Sequence, residues 1–228
     1  MTPRTDQRAS LRRLLPALLA LAAVVDLGSL AAGSEAGHMA TKPLLMPLLA
    51  AWAALRGAPR LLVVALLFGW GGDVLLLSGA EPAFLAGMAS FAAGHVSYIV
   101  LFRRNGPPRA RAALLLPGYA IALVVTVALL WPDLPADLRV PVACYSALLT
   151  AMAWSAATRA GLVAGLGGAL FLLSDTLIAT DVADWPQPPR PDFWIMLTYI
   201  AAQVLLTRGV SAAAARTAEP DAVRTAAG

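Results

Sequence analysis

Charge is scarce in this chain. Asp, Glu, Lys and Arg make up 13% of its 228 residues, about half the share that a soluble globular domain carries. Cysteine is nearly missing: the single Cys144 excludes an intramolecular disulfide framework and a cysteine-built zinc ribbon. The two histidines, His38 and His95, cannot form a three-histidine metal centre, and neither a metal nor a cofactor is expected. Aromatic residues reach only 7%, whereas 59% of the chain is hydrophobic, mostly Leu, Ala and Val. With a mean hydropathy of +0.73, a soluble domain is excluded. The net charge of +4 would suit a nucleic-acid binder only if the basic residues formed a patch. They do not, and no nucleic-acid partner is expected; the sequence offers nothing on protein partners.

The apolar residues fall into stretches of membrane-crossing length. A hydrocarbon core of about 30 Å requires about 20 mostly apolar residues per helix. Eight segments qualify: 14–32, 42–56, 60–78, 83–102, 112–131, 138–157, 162–180 and 192–210. Short connections rich in helix breakers separate them, among them Arg56-Gly57-Ala58-Pro59, Asn105-Gly106-Pro107-Pro108 and Trp185-Pro186-Gln187-Pro188-Pro189. The second segment opens on Lys42-Pro43, as a span entering from the interface would. The expected fold is therefore all-α, a polytopic integral membrane bundle of eight transmembrane helices. One domain covers 14–210, between a cytoplasmic tail at 1–13 and a disordered cytoplasmic tail at 211–228, the latter rich in Ala and Thr.

Orientation follows from the basic residues. With eight spans the termini share a side, and that side collects 14 of the 17 Lys and Arg residues, from Arg4, Arg8, Arg12 and Arg13 through Arg111 to Arg216 and Arg224. Lys42, Arg139 and Arg190 fall on the other side, together with Glu35, Glu81, Asp133, Asp137, Asp181, Asp184 and Asp192. Both termini are thus expected in the cytoplasm. Arg12-Arg13 and the apolar run ending at Leu30-Ala31-Ala32 have the outline of a signal peptide. Asp26 within that run argues against cleavage, as does a seven-span remainder that would put the C-terminal arginines outside. High Ala and Arg content points to a bacterial inner (cell) membrane.

Ionisable residues inside the spans ask for a reason, because each costs about 2.5–3.5 kcal/mol at mid-bilayer on insertion scales. Asp26, Asp73 and Asp175 lie in spans one, three and seven. Counted from span starts at 14, 60 and 162, they reach nearly the same depth, beyond the midplane on the outward side. Lys42 opens span two on that side. A single buried Asp is readily read as a structural hydrogen-bonding residue; several at one depth beside a lysine point to a site. Gly69, Gly71 and Gly72 precede Asp73, and Gly161 and Gly168 share a helical face with Asp175, which fits close helix packing. GWGGDVLLLS (69–78) faintly echoes GLGGALFLLS (165–174). Span four contributes Phe91, His95, Tyr98 and Phe102 on one face; His95 is either a packing element or a group orienting a carboxylate or water. Tyr199 and Gln203, one turn apart on span eight, are candidates to complete a polar network with Ser174 and Asp26 in support. His38 falls in the first outward loop and carries little information.

Four of these motifs occur together and in order: Thr41-Lys42-Pro43-Leu44-Leu45-Met46-Pro47, Gly72-Asp73-Val74-Leu75-Leu76, Phe91-x3-His95-x2-Tyr98 and Ser174-Asp175. With the number and spacing of spans, they make residues 14–208 resemble the YhhN-like lysoplasmalogenase family. The resemblance implies a polytopic enzyme that hydrolyses the vinyl ether bond of lysoplasmalogens. Its products would be a fatty aldehyde and a glycerophospho-ethanolamine or -choline. It also implies Asp73 and Asp175 as catalytic positions, with Lys42, His95 and Tyr98 contacting substrate; Asp26 is not among the positions carried over.

The chemistry fits those residue types. A vinyl ether is hydrolysed by proton transfer to its β-carbon, which gives an oxocarbenium ion that water captures; the hemiacetal then collapses to aldehyde and alcohol. That requires one protonated carboxyl and one carboxylate, and two neighbouring carboxyls in an apolar setting share a proton readily. Glycosidases meet a related oxocarbenium ion with two carboxylates. Which of Asp73 and Asp175 holds the proton is left open by the sequence. The expected partner is a membrane lipid substrate, with Lys42 near its phosphate. A proton-coupled secondary transporter is the alternative, since intramembrane Asp and His residues also serve carriers.

Overall fold

The computed structural model describes residues 3–110 and 114–226. Arg111 of the expected basic set and the first residues of the expected fifth span fall outside that range, as do the side chains of Arg4, Arg8 and Arg224. Among the described residues there are eight α-helices: α1 (Pro3–Ala32), α2 (Glu35–Leu55), α3 (Arg60–Leu76), α4 (Glu81–Arg103), α5 (Leu116–Leu130), α6 (Arg139–Ser155), α7 (Leu162–Val182) and α8 (Pro191–Ala226). The eight elements coincide with the eight apolar stretches. Five are long and apolar enough to cross a membrane by length and composition: α1, α4, α7, α8, and α6 together with the helical turn that carries it on to Ala160. At 17 and 15 residues, α3 and α5 are shorter.

Boundaries differ from expectation where proline and alanine dominate. α2 starts at Glu35 and runs straight through Pro43 and Pro47, so these prolines lie inside a helix and do not mark its beginning. Its start is set by Ser34, whose Oγ accepts the Gly37 amide at 3.4 Å, an N-cap contact. The fold thereby lifts His38 out of the expected loop and onto the first turns of α2. α6 closes in a π-helical turn, Ala156–Ala160, ended by Gly161 at φ +104°, a backbone state that favours glycine. Gly161 is consequently a helix break, not a packing residue on the α7 face. α8 continues as helix through Ala226 past the position where a disordered tail was expected; the Ala-rich composition supplies the helix propensity.

The helices alternate in direction. At one end, called the upper end here, the α1–α2 turn lies against the α7–α8 connection, with Arg190 beside Gly33. The α7–α8 connection also meets the α5–α6 connection, where the Trp185 indole N–H donates to Asp133 Oδ2 at 2.8 Å. At the lower end Arg12 Nη2 donates to the Leu55 carbonyl at 2.9 Å, and the Arg109 amide donates to the Thr158 carbonyl at 3.0 Å. Three antiparallel hairpins, α1–α2, α3–α4 and α7–α8, supply most of the packing, and α6 is laid against α4 and α7. Glycine lets them approach: a Cβ on Gly167 would sit 2.8 Å from the Leu206 backbone nitrogen, and one on Gly209 would sit 2.6 Å from that of Ala164.

The molecule is apolar outside as well as inside. Leu14, Leu18, Leu21 and Val24 stand exposed along α1, as do Ile121, Val124 and Leu129 along α5. α5 is the least embedded element and fully buries only Leu130. One buried cluster, built around Leu45, Leu66, Phe102, Met152, Phe171 and Leu206, fills the centre. A second, smaller one (Leu130, Leu134, Leu138, Val142 and Ala183, with Phe84, Met88 and Trp185 packed on it) caps the upper end between α4, α5, α6 and α7.

Candidate functional site

Asp73 and Asp175 share a cavity of about 160 Å³ in the upper half of the bundle, whose wall also includes Lys42, Tyr145, Ser174 and Tyr199. Asp73 comes from α3 one turn before the helix ends, and Asp175 from α7 two turns before its end. Asp73 is buried and Asp175 half-buried. Neither carboxyl is left bare. Tyr199 of α8 donates its phenol proton to Asp73 Oδ2 at 2.8 Å, and Tyr145 of α6 donates to Asp175 Oδ2.

Each phenol is held from behind. The Gln203 amide nitrogen donates to the Tyr199 oxygen at 3.4 Å, and Tyr98 donates to the Gln203 carbonyl oxygen at 2.8 Å. The first arm thus runs Tyr98–Gln203–Tyr199–Asp73 across α4, α8 and α3. On the second, His95 Nε2 lies 3.0 Å from the Tyr145 oxygen. With Asp175 ionised and that phenol donating to it, the matching tautomer carries its hydrogen on His95 Nε2. The second arm is His95–Tyr145–Asp175 across α4, α6 and α7. Both arms root in α4, where His95 and Tyr98 sit one turn apart, each 1% exposed. Buried this deeply, neither side chain forms part of the cavity wall, and each reaches a carboxyl only through other side chains.

An aromatic wedge separates the arms. Phe171 packs edge-on against His95, with centroids 4.8 Å apart, and against Tyr199 at 5.5 Å. Phe91 packs edge-on against Tyr199 at 6.0 Å. Two glycines make this possible. A Cβ on Gly72 would lie 2.4 Å from the Phe91 ring, and one on Gly69 would come within 3.1–3.2 Å of the Gln203 amide nitrogen and the Tyr199 hydroxyl. The glycines before Asp73 therefore admit specific side chains of the site. Ser174 is buried and faces the cavity, but its hydroxyl is spent on the Ile195 carbonyl at 3.1 Å.

Lys42 is half-buried on the cavity wall, and among the described residues it makes no ion pair with either carboxyl; the pair found there is His38–Asp26. Asp26 is not on the wall. It is fully buried between α1 and α2, where Oδ1 accepts from Thr41 Oγ1 at 2.7 Å and lies 3.0 Å from His38 Nδ1. This trio joins the first hairpin directly beside Lys42. Counting along the spans gave Asp26 the depth of the other two acids, and the structure holds it between α1 and α2 without bringing it to the cavity wall. Tyr145 is the residue that sequence reading passed over. The available signal was rarity: the chain has four tyrosines, and three of them, Tyr98, Tyr145 and Tyr199, belong to these arms.

Fold and cavity together define the class: an all-α integral membrane protein, apolar outside, with two carboxyls and a lysine around an internal cavity. The chain belongs to the YhhN family, which matches residues 37–210. It is 37% identical over 153 residues to human "Lysoplasmalogenase TMEM86B", covering 66% of this chain and 63% of that protein. The pig protein of the same name is 39% identical over 147 residues, 64% of this chain and 62% of its own. Bovine "Lysoplasmalogenase TMEM86A" is 33% identical over 153 residues, covering 63% and 62% respectively. The chain thus spans a little over three-fifths of the length of these relatives. No solved structure matches it.

Proposed function

We propose that this protein hydrolyses the vinyl ether bond of lysoplasmalogen-type lysophospholipids, releasing a fatty aldehyde and glycerophospho-ethanolamine or -choline. The observation that carries this reading is the pair of carboxyls on one cavity wall, each fixed by a phenol. The relatives named lysoplasmalogenases supply the substrate class. In the proposed reaction, one of Asp73 and Asp175 holds a proton and delivers it to the β-carbon of the vinyl ether. The other, ionised, stabilises the oxocarbenium ion and then takes a proton from the water that adds to it. The hemiacetal hydroxyl gives up its proton as the C–O bond breaks, the glycerol oxygen receives one, and the aldehyde leaves. Net consumption is one water, and the carboxyl pair ends as it began.

The remaining residues fall into place around that step. Tyr145 and Tyr199 orient the carboxyls, while His95, Tyr98 and Gln203 position the phenols. Lys42 lies where a lysolipid phosphate would meet the cavity. The split of 14 basic residues on the side of the termini against three on the other supports an orientation with the upper end outward and both termini in the cytoplasm, in a bacterial inner membrane. The test is aldehyde release from lysoplasmalogen by purified protein in detergent. A proton-coupled carrier would release no aldehyde and would instead move solute across sealed vesicles.

A further inference from the structure

The cavity does not stop at the carboxyls. Beyond Tyr145 its wall continues along Met88 of α4 and along Tyr119, Ala122, Leu123 and Thr126 of α5. These two helices make at most marginal contact with each other. Ala122, on this wall, is itself exposed. Upward exit is blocked. The small apolar cluster of Leu130, Leu134, Leu138 and Val142 closes that end, and the Trp185–Asp133 hydrogen bond ties the two connections above it. Between α4 and α5 there is little helix packing to close the cavity toward the surrounding hydrocarbon.

We propose that the slot between α4 and α5 is the subsite for the alkenyl chain, admitted laterally from the membrane, and that Met88 and Leu123 select its length. The inference rests on the vinyl ether hydrolase reading and deepens it. In the substrate the vinyl ether stands between a charged headgroup and an aliphatic chain. Lys42, the two carboxyls and this slot all line one cavity, so a lipid occupying it brings the reactive bond to the acids. Lipid tails are as apolar as the slot, so the chain gains little by changing apolar surroundings. Selection must then come from shape, and a bulkier side chain should exclude long chains while leaving short ones unaffected.

The test compares Leu123→Trp and Met88→Trp with wild type on a long-chain lysoplasmalogen and on a short-chain analogue with the same headgroup, each variant checked by monodisperse elution. The expected result is a loss of about tenfold or more in kcat/KM for the long chain, the scale on which apolar pockets discriminate, with the short-chain analogue within about threefold of wild type. Equal losses on both substrates, or no loss on either, overturn the proposal. A second readout does not depend on turnover: a lysophospholipid carrying a photoreactive diazirine at its chain end should label peptides of α4 and α5, and Leu123→Trp should suppress that labelling. Labelling confined to other helices overturns the slot. Labelling of α4 and α5 without aldehyde release from any substrate leaves the slot standing and overturns the hydrolase reading instead.

Discussion

A phenol beside a carboxyl does two things at once in an apolar interior. It supplies the hydrogen bond that the acid would otherwise take from water, and it fixes which oxygen faces the cavity. Tyr199 and Tyr145 play these parts for Asp73 and Asp175. Hydrogen bonds to charged groups contribute about 1.5–3 kcal/mol. Tyr145→Phe and Tyr199→Phe should therefore each lower turnover by roughly ten- to a hundredfold in steady-state aldehyde-release assays, with the variants still eluting as folded protein. Unchanged turnover in both would show that the phenols only fill space. Lys42 should behave differently. A phosphate contact is made in ground state and transition state alike, so Lys42→Met should raise KM with a smaller change in kcat. A fall in kcat at constant KM would place Lys42 in the chemical step.

Helices decide whether these residues meet. Gly167 and Gly209 bring α7 and α8 into backbone contact, which sets Asp175 on one helix and Tyr199 on its neighbour around a common cavity. Gly167→Val should force the pair apart at the Ala202 and Leu206 backbones and cost about 1–3 kcal/mol, as overpacking does. Thermal stability read by size-exclusion elution after heating should fall, and activity should fall with it. A variant as stable as wild type would mean that α7 and α8 can shift without cost. The acids and α4 motifs were legible in sequence because a polar group in an apolar run stands out against its neighbours. Element existence was legible for the same reason. The α2 start was not, because a proline at the beginning of a span and one inside a helix look alike until Ser34 is seen capping the turn before it. The π turn at Ala156–Ala160 left no readable mark, since nothing in Ala-Ala-Thr-Arg-Ala distinguishes it from α-helix. Tyr145 was hidden by its setting on α6, which has no charged residue near it to draw notice; only its partners on α4 and α7 reveal its part. Asp26 shows the converse limit: depth can be counted along a chain, whereas the partners a side chain will meet (here Thr41 and His38) cannot.

At the scale of the whole molecule, the cavity lies toward the end of the bundle that carries the α1–α2, α3–α4, α5–α6 and α7–α8 connections. In the proposed orientation that end faces outward. Reporter fusions at the C-terminus should then behave as cytoplasmic and those in the α5–α6 connection as external; the opposite pattern would invert the assignment and place the reaction on the cytoplasmic side. The proposed reaction requires the two carboxyls to act as one unit. The most direct measurement is fatty aldehyde release from lysoplasmalogen by purified wild type, Asp73→Asn and Asp175→Asn. Asparagine keeps the shape and removes both the proton and the charge. General acid–base groups contribute about 10²–10⁴-fold, so each variant should fall by that order while eluting as wild type does. Near-normal turnover in both would contradict the account and make the two acids structural.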